Sequence, residues 1–181
     1  MAGAMTASTT RSPAGRGPLI VTAELASVDL AWLEALRRHH YPAARNQVPA
    51  HLTIFHALPP SLEGEARHRL AQATAREAPR ATIAGLMDLG GGVAFRVVSE
   101  DLDRIREELS DAFHGMLGAQ DSAGWRPHVT IQNKVSVGEA RQVLTALQRA
   151  FEPRPLAVRG IGLHRYLGGP WETLRVWSFR A

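Results

Sequence analysis

The chain has no cysteine, and only one of its 21 basic residues, Lys134, is a lysine. The first absence excludes disulfides and thiolate metal sites and leaves the redox compartment open. The second makes the positive charge almost entirely arginine, whose planar fork suits phosphate. No apolar run approaches the roughly 18 residues that a membrane-spanning helix needs. Residues 1–17 contain no Val, Ile, Leu or aromatic side chain and no acid. Such a segment has nothing to bury and reads as a disordered N-terminal arm. It also lacks the apolar stretch of a secretory signal, so the chain reads as cytoplasmic. The formal charge of +4 predicts solubility and some attraction for anions, without the strong basic field of a nucleic-acid scaffold.

Apolar residues make up 45% of the 181 positions, enough for a packed core, and residues 18–181 read as a single domain. Strand-like runs fall at 19–25, 51–58, 81–87, 93–98, 128–133, 156–167 and 173–179. Leu30, Leu33 and Leu36 mark a helix that Ser27 or Asp29 can cap and that ends near Tyr41-Pro42. A second helix follows Pro59-Pro60-Ser61 and runs to about Ala78. Leu102, Ile105, Leu109, Ala112, Phe113 and Met116 form the clearest amphipathic helix. Ser136 and Glu139 have capping-box spacing before a fourth helix. The order strand, helix, His-x-Thr strand, helix occurs twice, over about 19–78 and 93–151. This predicts an α+β fold of two pseudo-symmetric lobes, each with an antiparallel-rich sheet and flanking helices, around a central cleft. Neither a P-loop nor a dinucleotide fingerprint occurs.

The chemistry concentrates in two matching tetrapeptides, His51-Leu52-Thr53-Ile54 and His128-Val129-Thr130-Ile131. Residues i and i+2 of a strand share a face, so each histidine projects beside its threonine while the apolar residues face the core. An imidazole can carry a proton near neutral pH, and a hydroxyl can hold a phosphate oxygen. Two such pairs across a cleft supply an acid, a base and a cradle for one phosphorus centre. The plainer alternative is two packed strand histidines. Proline one or two residues ahead of each (Pro49, Pro127) and the matched apolar fourth residue argue against it. A metal hydrolase would require carboxylates converging on the histidines, and neither motif has an acidic neighbour. A non-catalytic RNA- or nucleotide-binding module would keep the cleft without needing both histidines.

Paired His-x-Thr motifs in these contexts, Pro49-Ala50-His51-Leu52-Thr53-Ile54 and Arg126-Pro127-His128-Val129-Thr130-Ile131, resemble the two-histidine phosphoesterase superfamily. Within it they are most similar to the bacterial 2'-5' RNA ligase and RNA cyclic phosphodiesterase branch. Leu167-Gly168-Gly169-Pro170 and Leu174-Arg175-Val176-Trp177 are weakly similar too. The resemblance implies a bilobal monomer that needs no metal or other cofactor and acts on RNA ends or cyclic nucleotides. It implies hydrolysis of 2',3'-cyclic phosphates, sometimes with 2'-5' ligation in reverse, with His128 as base and His51 as acid. Family members often carry an arginine just after the second motif, whereas Gln132-Asn133-Lys134 stands here. Gln132 should share the face of His128 and Thr130, and so should Lys134 if the strand stays regular. Arg126 is a candidate phosphate ligand, and Trp125, Phe55 and Tyr166 are candidates for stacking on a base. His56 should fall on the face opposite His51 and read as structural.

Overall fold

The computed structural model describes residues 17–180; residues 1–16 of the expected arm lie outside the described part. Seven strands, β1 (Leu19–Leu25), β2 (Leu52–Leu58), β3 (Arg80–Asp88), β4 (Val93–Val98), β5 (His128–Gln132), β6 (Arg154–Tyr166) and β7 (Trp171–Ser178), form one antiparallel sheet. Its order is β1-β2-β5-β4-β3-β6-β7, and β1 also pairs with β6, which closes the first six strands into a barrel-like ring. Five α-helices accompany it: α1 (Ser27–His40), α2 (Glu63–Ala73), α3 (Glu100–Ala112), α4 (Ala119–Ser122) and α5 (Val137–Arg149).

The expected duplication is visible in this order. The run β1-α1-β2-α2 is repeated as β4-α3-β5-α5, and β1-β2-β5-β4 reads the same from either end. An approximate twofold axis therefore passes between β2 and β5. The two sheets expected of the lobes are continuous. At the axis they are joined through a single bridge between Leu52 and Val129, and on the far side through four pairs between β3 and β6.

Local chemistry explains most boundaries. Ser136 and Glu139 form the expected capping box on α5, and Ser99 caps α3 by accepting from the Leu102 amide. In α1 the cap position is Ala26, and neither Ser27 nor Asp29 serves. The Asp29 carboxylate instead accepts from the Ala157 amide at 2.9 Å and from Arg154 at 3.0 Å, tying α1 to β6. The second helix stops at Ala73, short of the expected 78, where the Thr74 hydroxyl donates back to the Leu70 carbonyl. The third stops at Ala112, and Gly115 turns the chain at φ 77. Lys134 sits at φ 64, a left-handed conformation that ends β5 at Gln132 and takes Lys134 off the strand face. At the seam Leu52, Ile54, Val129 and Ile131 are each at most 1% exposed and anchor the motif strands in the core.

Candidate active site

The bridge between Leu52 and Val129 fixes the arrangement of the motif residues. In an antiparallel ladder it sets Thr53 opposite His128 and His51 opposite Thr130. All four share one face, with the histidines on one diagonal of a square and the threonines on the other. Diagonal neighbours on adjacent strands stand about 7–8 Å apart, which leaves room for one tetrahedral phosphate between the imidazoles.

Each ring is held by the same device. His51 Nδ1 lies 2.7 Å from the Pro49 carbonyl, and His128 Nδ1 lies 2.7 Å from the Arg126 carbonyl. A carbonyl only accepts, so Nδ1 carries the proton and donates in both rings. Nε2 is left as the working nitrogen of each. In its neutral form it takes a proton, and in its charged form it gives one.

The two surroundings differ. Burial pushes the His51 imidazole down to about 4, and the electrostatic influence of Arg37, His164 and His128 acts in the same direction; the bond to Pro49 works the other way. His51 is thus neutral in the free protein at neutral pH. Trp171 lies against it with ring centroids 4.6 Å apart, and His164 lies 5.5 Å beyond Trp171. His164 is itself held by Thr22 at 2.8 Å and Thr173 at 3.1 Å. These residues enclose a recess of about 200 Å³ with Glu24 and Gln47. On the other side of the seam a recess of about 250 Å³ is lined by Thr53, His128, His56, Arg106, Trp125 and Arg126.

Several sequence expectations need revision. Phe55 is fully buried, packs edge-on against Phe113, and cannot stack on a substrate. Its displacement follows from two register slips between β1 and β2, which break the simple alternation and turn Phe55 inward. The same slips bring His56, expected on the opposite face, into the recess beside Thr53. Gln132 is 4% exposed, with its amide oxygen buried and unpaired, so it lies below the surface that Thr130 presents. Trp125 lines the recess, but its indole N–H is committed to the Thr53 carbonyl at 3.0 Å. Arg126 is exposed at the same recess. Tyr166 is exposed at the end of β6 and lines neither recess.

Four further residues escaped the sequence reading. Trp171 and His164 come from strands that reach the site only through the pairing of β6 with β1 and β7. Arg96 stands opposite His128 in the ladder, although its guanidinium is drawn toward β3, to the Ala84 carbonyl at 3.1 Å. Arg37 is 2% exposed and sits one helical turn after Leu33 on the inward stripe of α1. That placement was a readable signal, because an arginine in an apolar stripe must have buried partners. Among the described residues no group of three or more His, Asp or Glu gathers to hold a metal ion.

A family model described as the 2'-5' RNA ligase superfamily matches residues 26–170. The chain belongs to the 2'-5' RNA ligase superfamily. This is the two-histidine phosphoesterase group that the paired motifs resemble. Solved structures of similar fold include TT0787 of Thermus thermophilus, with 18% identity, a TM-score of 0.63, and coverage of 91% of this chain and 98% of that one. E. coli LigT complexed with 3'-AMP matches with 18% identity, a TM-score of 0.55, and coverage of 92% and 99%. The complex of LigT with NADP+ matches with 16% identity, a TM-score of 0.55, and coverage of 91% and 98%. At these identities the likeness to superfamily structures is one of fold. No curated protein matches the chain.

Proposed function

We propose that the protein is a metal-independent phosphoesterase that opens RNA-type 2',3'-cyclic phosphates with water, and that a 5'-hydroxyl in place of the water gives 2'-5' ligation. The observation that carries this reading is the pair of identically anchored imidazoles, each with Nε2 unclaimed by the fold, on one face of adjacent strands. In the proposed step water attacks phosphorus, one proton passes from the water to His128, and the bond to a ribose oxygen breaks. His51 delivers a proton to that departing oxygen. Attack and departure lie on opposite sides of phosphorus, so two separated histidines fit where one would not. Thr53 and Thr130, on the other diagonal, can hold the non-bridging oxygens and stabilise charge in the transition state.

The acid role asks His51 to be protonated, yet its surroundings keep it neutral in the free protein. The substrate resolves this. An anionic phosphate about 4 Å away favours the imidazolium by about 4 kcal/mol at an effective dielectric of 20. That is about three pKa units, enough to return a group near 4 to neutral pH. His51 then picks up its proton as the phosphate binds. If it stayed neutral in the complex, the roles would exchange and His51 would be the base.

E. coli LigT, of similar fold, is known in complex with 3'-AMP, which supports nucleotides or RNA ends as the substrate class. The decisive assay is turnover of a 2',3'-cyclic nucleotide by the purified protein with EDTA present. Turnover abolished by the chelator and restored by a divalent ion would overturn the metal-independent mechanism. Nucleotide binding without turnover would assign a binding module instead.

A further inference from the structure

The recess on the His128 side has a third histidine with a geometry of its own. Asp121, on the short helix α4, is 3% exposed, and its carboxylate accepts from the amides of His56 at 2.8 Å and Ala57 at 2.9 Å. It also accepts from His56 Nδ1 at 3.1 Å. Burial works against the carboxylate charge, but these bonds more than offset it and hold Asp121 below the usual carboxylate range. Asp121 therefore stays ionised, fixes the His56 ring with Nδ1 as donor, and leaves Nε2 turned away from the pair. The register slips in β2 place this ring in the recess with Thr53 and His128.

The charges around it are one-sided. Arg106 and Arg126 line the same recess, no carboxylate is among its lining residues, and the nearby Asp121 is buried and already occupied. The guanidinium of Arg106 lies over the Trp125 ring at 5.5 Å and donates to the Asp121 carbonyl at 2.7 Å, which keeps its charge at the wall. The recess beside His51 carries Glu24, Gln47 and Trp171 and no arginine. An anion is favoured on one side of the seam only. His56 is three residues beyond Thr53, at most about 10 Å along the strand, within reach of the next phosphate of an extended nucleotide chain.

We propose that the recess formed by His56, Arg126 and Arg106 binds a second phosphate of the substrate, one nucleotide along from the reacting phosphorus. The substrate is then the end of a nucleotide chain rather than a lone nucleoside cyclic phosphate. This rests on the reading above for the position of the reacting phosphate. A nucleobase stacked on Trp125 is the competing occupant.

Calorimetric binding of adenosine 3',5'-bisphosphate and of 3'-AMP to the full chain tests this without any turnover. The second phosphate should tighten binding about tenfold or more, the worth of one charge-assisted hydrogen bond. In His56→Gln and Arg126→Gln the advantage should shrink to about twofold or threefold. The Asp121→Asn variant, checked by denaturant unfolding, should also lose most of it. Equal affinity of the two ligands for the wild type overturns the proposal, as does a His56→Gln variant that keeps the full advantage. Affinity that follows the base and ignores the second phosphate assigns the recess to the nucleobase. If the bisphosphate is preferred but no cyclic phosphate is turned over, the phosphate site stands and the reaction proposed above fails.

Discussion

The guanidinium of Arg37 in α1 donates to the carbonyl of Thr130 at 2.8 Å, crossing from one half of the molecule into the motif of the other. Its second nitrogen holds Asn46 at 2.6 Å and the Val48 carbonyl at 2.9 Å, in the segment leading to His51. Arg106 in α3 answers it across the axis. It reaches the Ile54 carbonyl at 3.3 Å and the Asp121 carbonyl in the segment leading to His128. Each half thus ties its own lead-in segment to the other half's motif strand. The single bridge at Leu52 and Val129 is braced on both sides.

Removing one brace should cost stability and change the site together. Arg37→Leu leaves buried acceptors unpaired and should destabilise the fold by about 2–4 kcal/mol, read as a lower urea midpoint. Arg37→Lys should recover part of this. Because Arg37 helps hold the His51 imidazole down, Arg37→Gln should raise its titration, followed by the ring proton resonances. An unmoved His51 titration would remove Arg37 from the electrostatics of the site.

Acid should weaken the fold through His51. Burial pushes its imidazole down to about 4 in the fold from the ordinary 6.5, so between these values the unfolded chain binds the extra proton. The stability due to its neutral burial is complete above about pH 6.5 and is lost as pH falls toward 4. The full difference is at most about 3 kcal/mol. Unfolding free energies at pH 7 and pH 4.5 should differ less in His51→Gln than in the wild type. Equal slopes for the two proteins would contradict the burial argument.

Phosphate binding should take up a proton. If the bound anion restores charge to His51, the calorimetric enthalpy of 3'-AMP binding near pH 7 should change with the ionisation enthalpy of the buffer. Enthalpies independent of buffer would leave His51 neutral in the complex and pass the acid role to His128.

Loss of either histidine should be nearly complete. His51→Ala or His128→Ala should reduce kcat by about 10²–10⁴-fold, with the double variant little worse because the pair acts as a unit. Thr53→Ala and Thr130→Ala should cost less. Arg126→Ala should raise KM more than it lowers kcat. A folded single-histidine variant with near wild-type turnover would end the two-histidine mechanism.

The motif strands were legible because alternation holds through Leu52, Thr53, Val129 and Thr130, and burial of the apolar partners enforces it. It failed two residues later. Nothing in Ile54-Phe55-His56 signals the register slips with β1, so Phe55 and His56 exchanged their expected faces. Trp171 and His164 were invisible for another reason. They meet His51 through the pairing of β1 with β6 and of β6 with β7, and no local pattern encodes such contacts. The element order and its repetition were legible because each helix and strand carries its own periodicity. The fusion of the two lobes into one ring was not, since it depends on β3 meeting β6 and on one bridge between β2 and β5.

The axis between β2 and β5 has a consequence for how a ligand is oriented. Two copies of one half, meeting isologously, would generate the same square of imidazoles and hydroxyls. Such a centre would accept a phosphodiester equally well in either direction. Joining both halves in one chain lets each side diverge. Trp171 and Glu24 now flank one imidazole while Arg126 and Arg106 flank the other. On the proposed function, the polarity of a nucleotide strand, its 5' sense against its 3' sense, would therefore be read by the walls and not by the four residues at the centre.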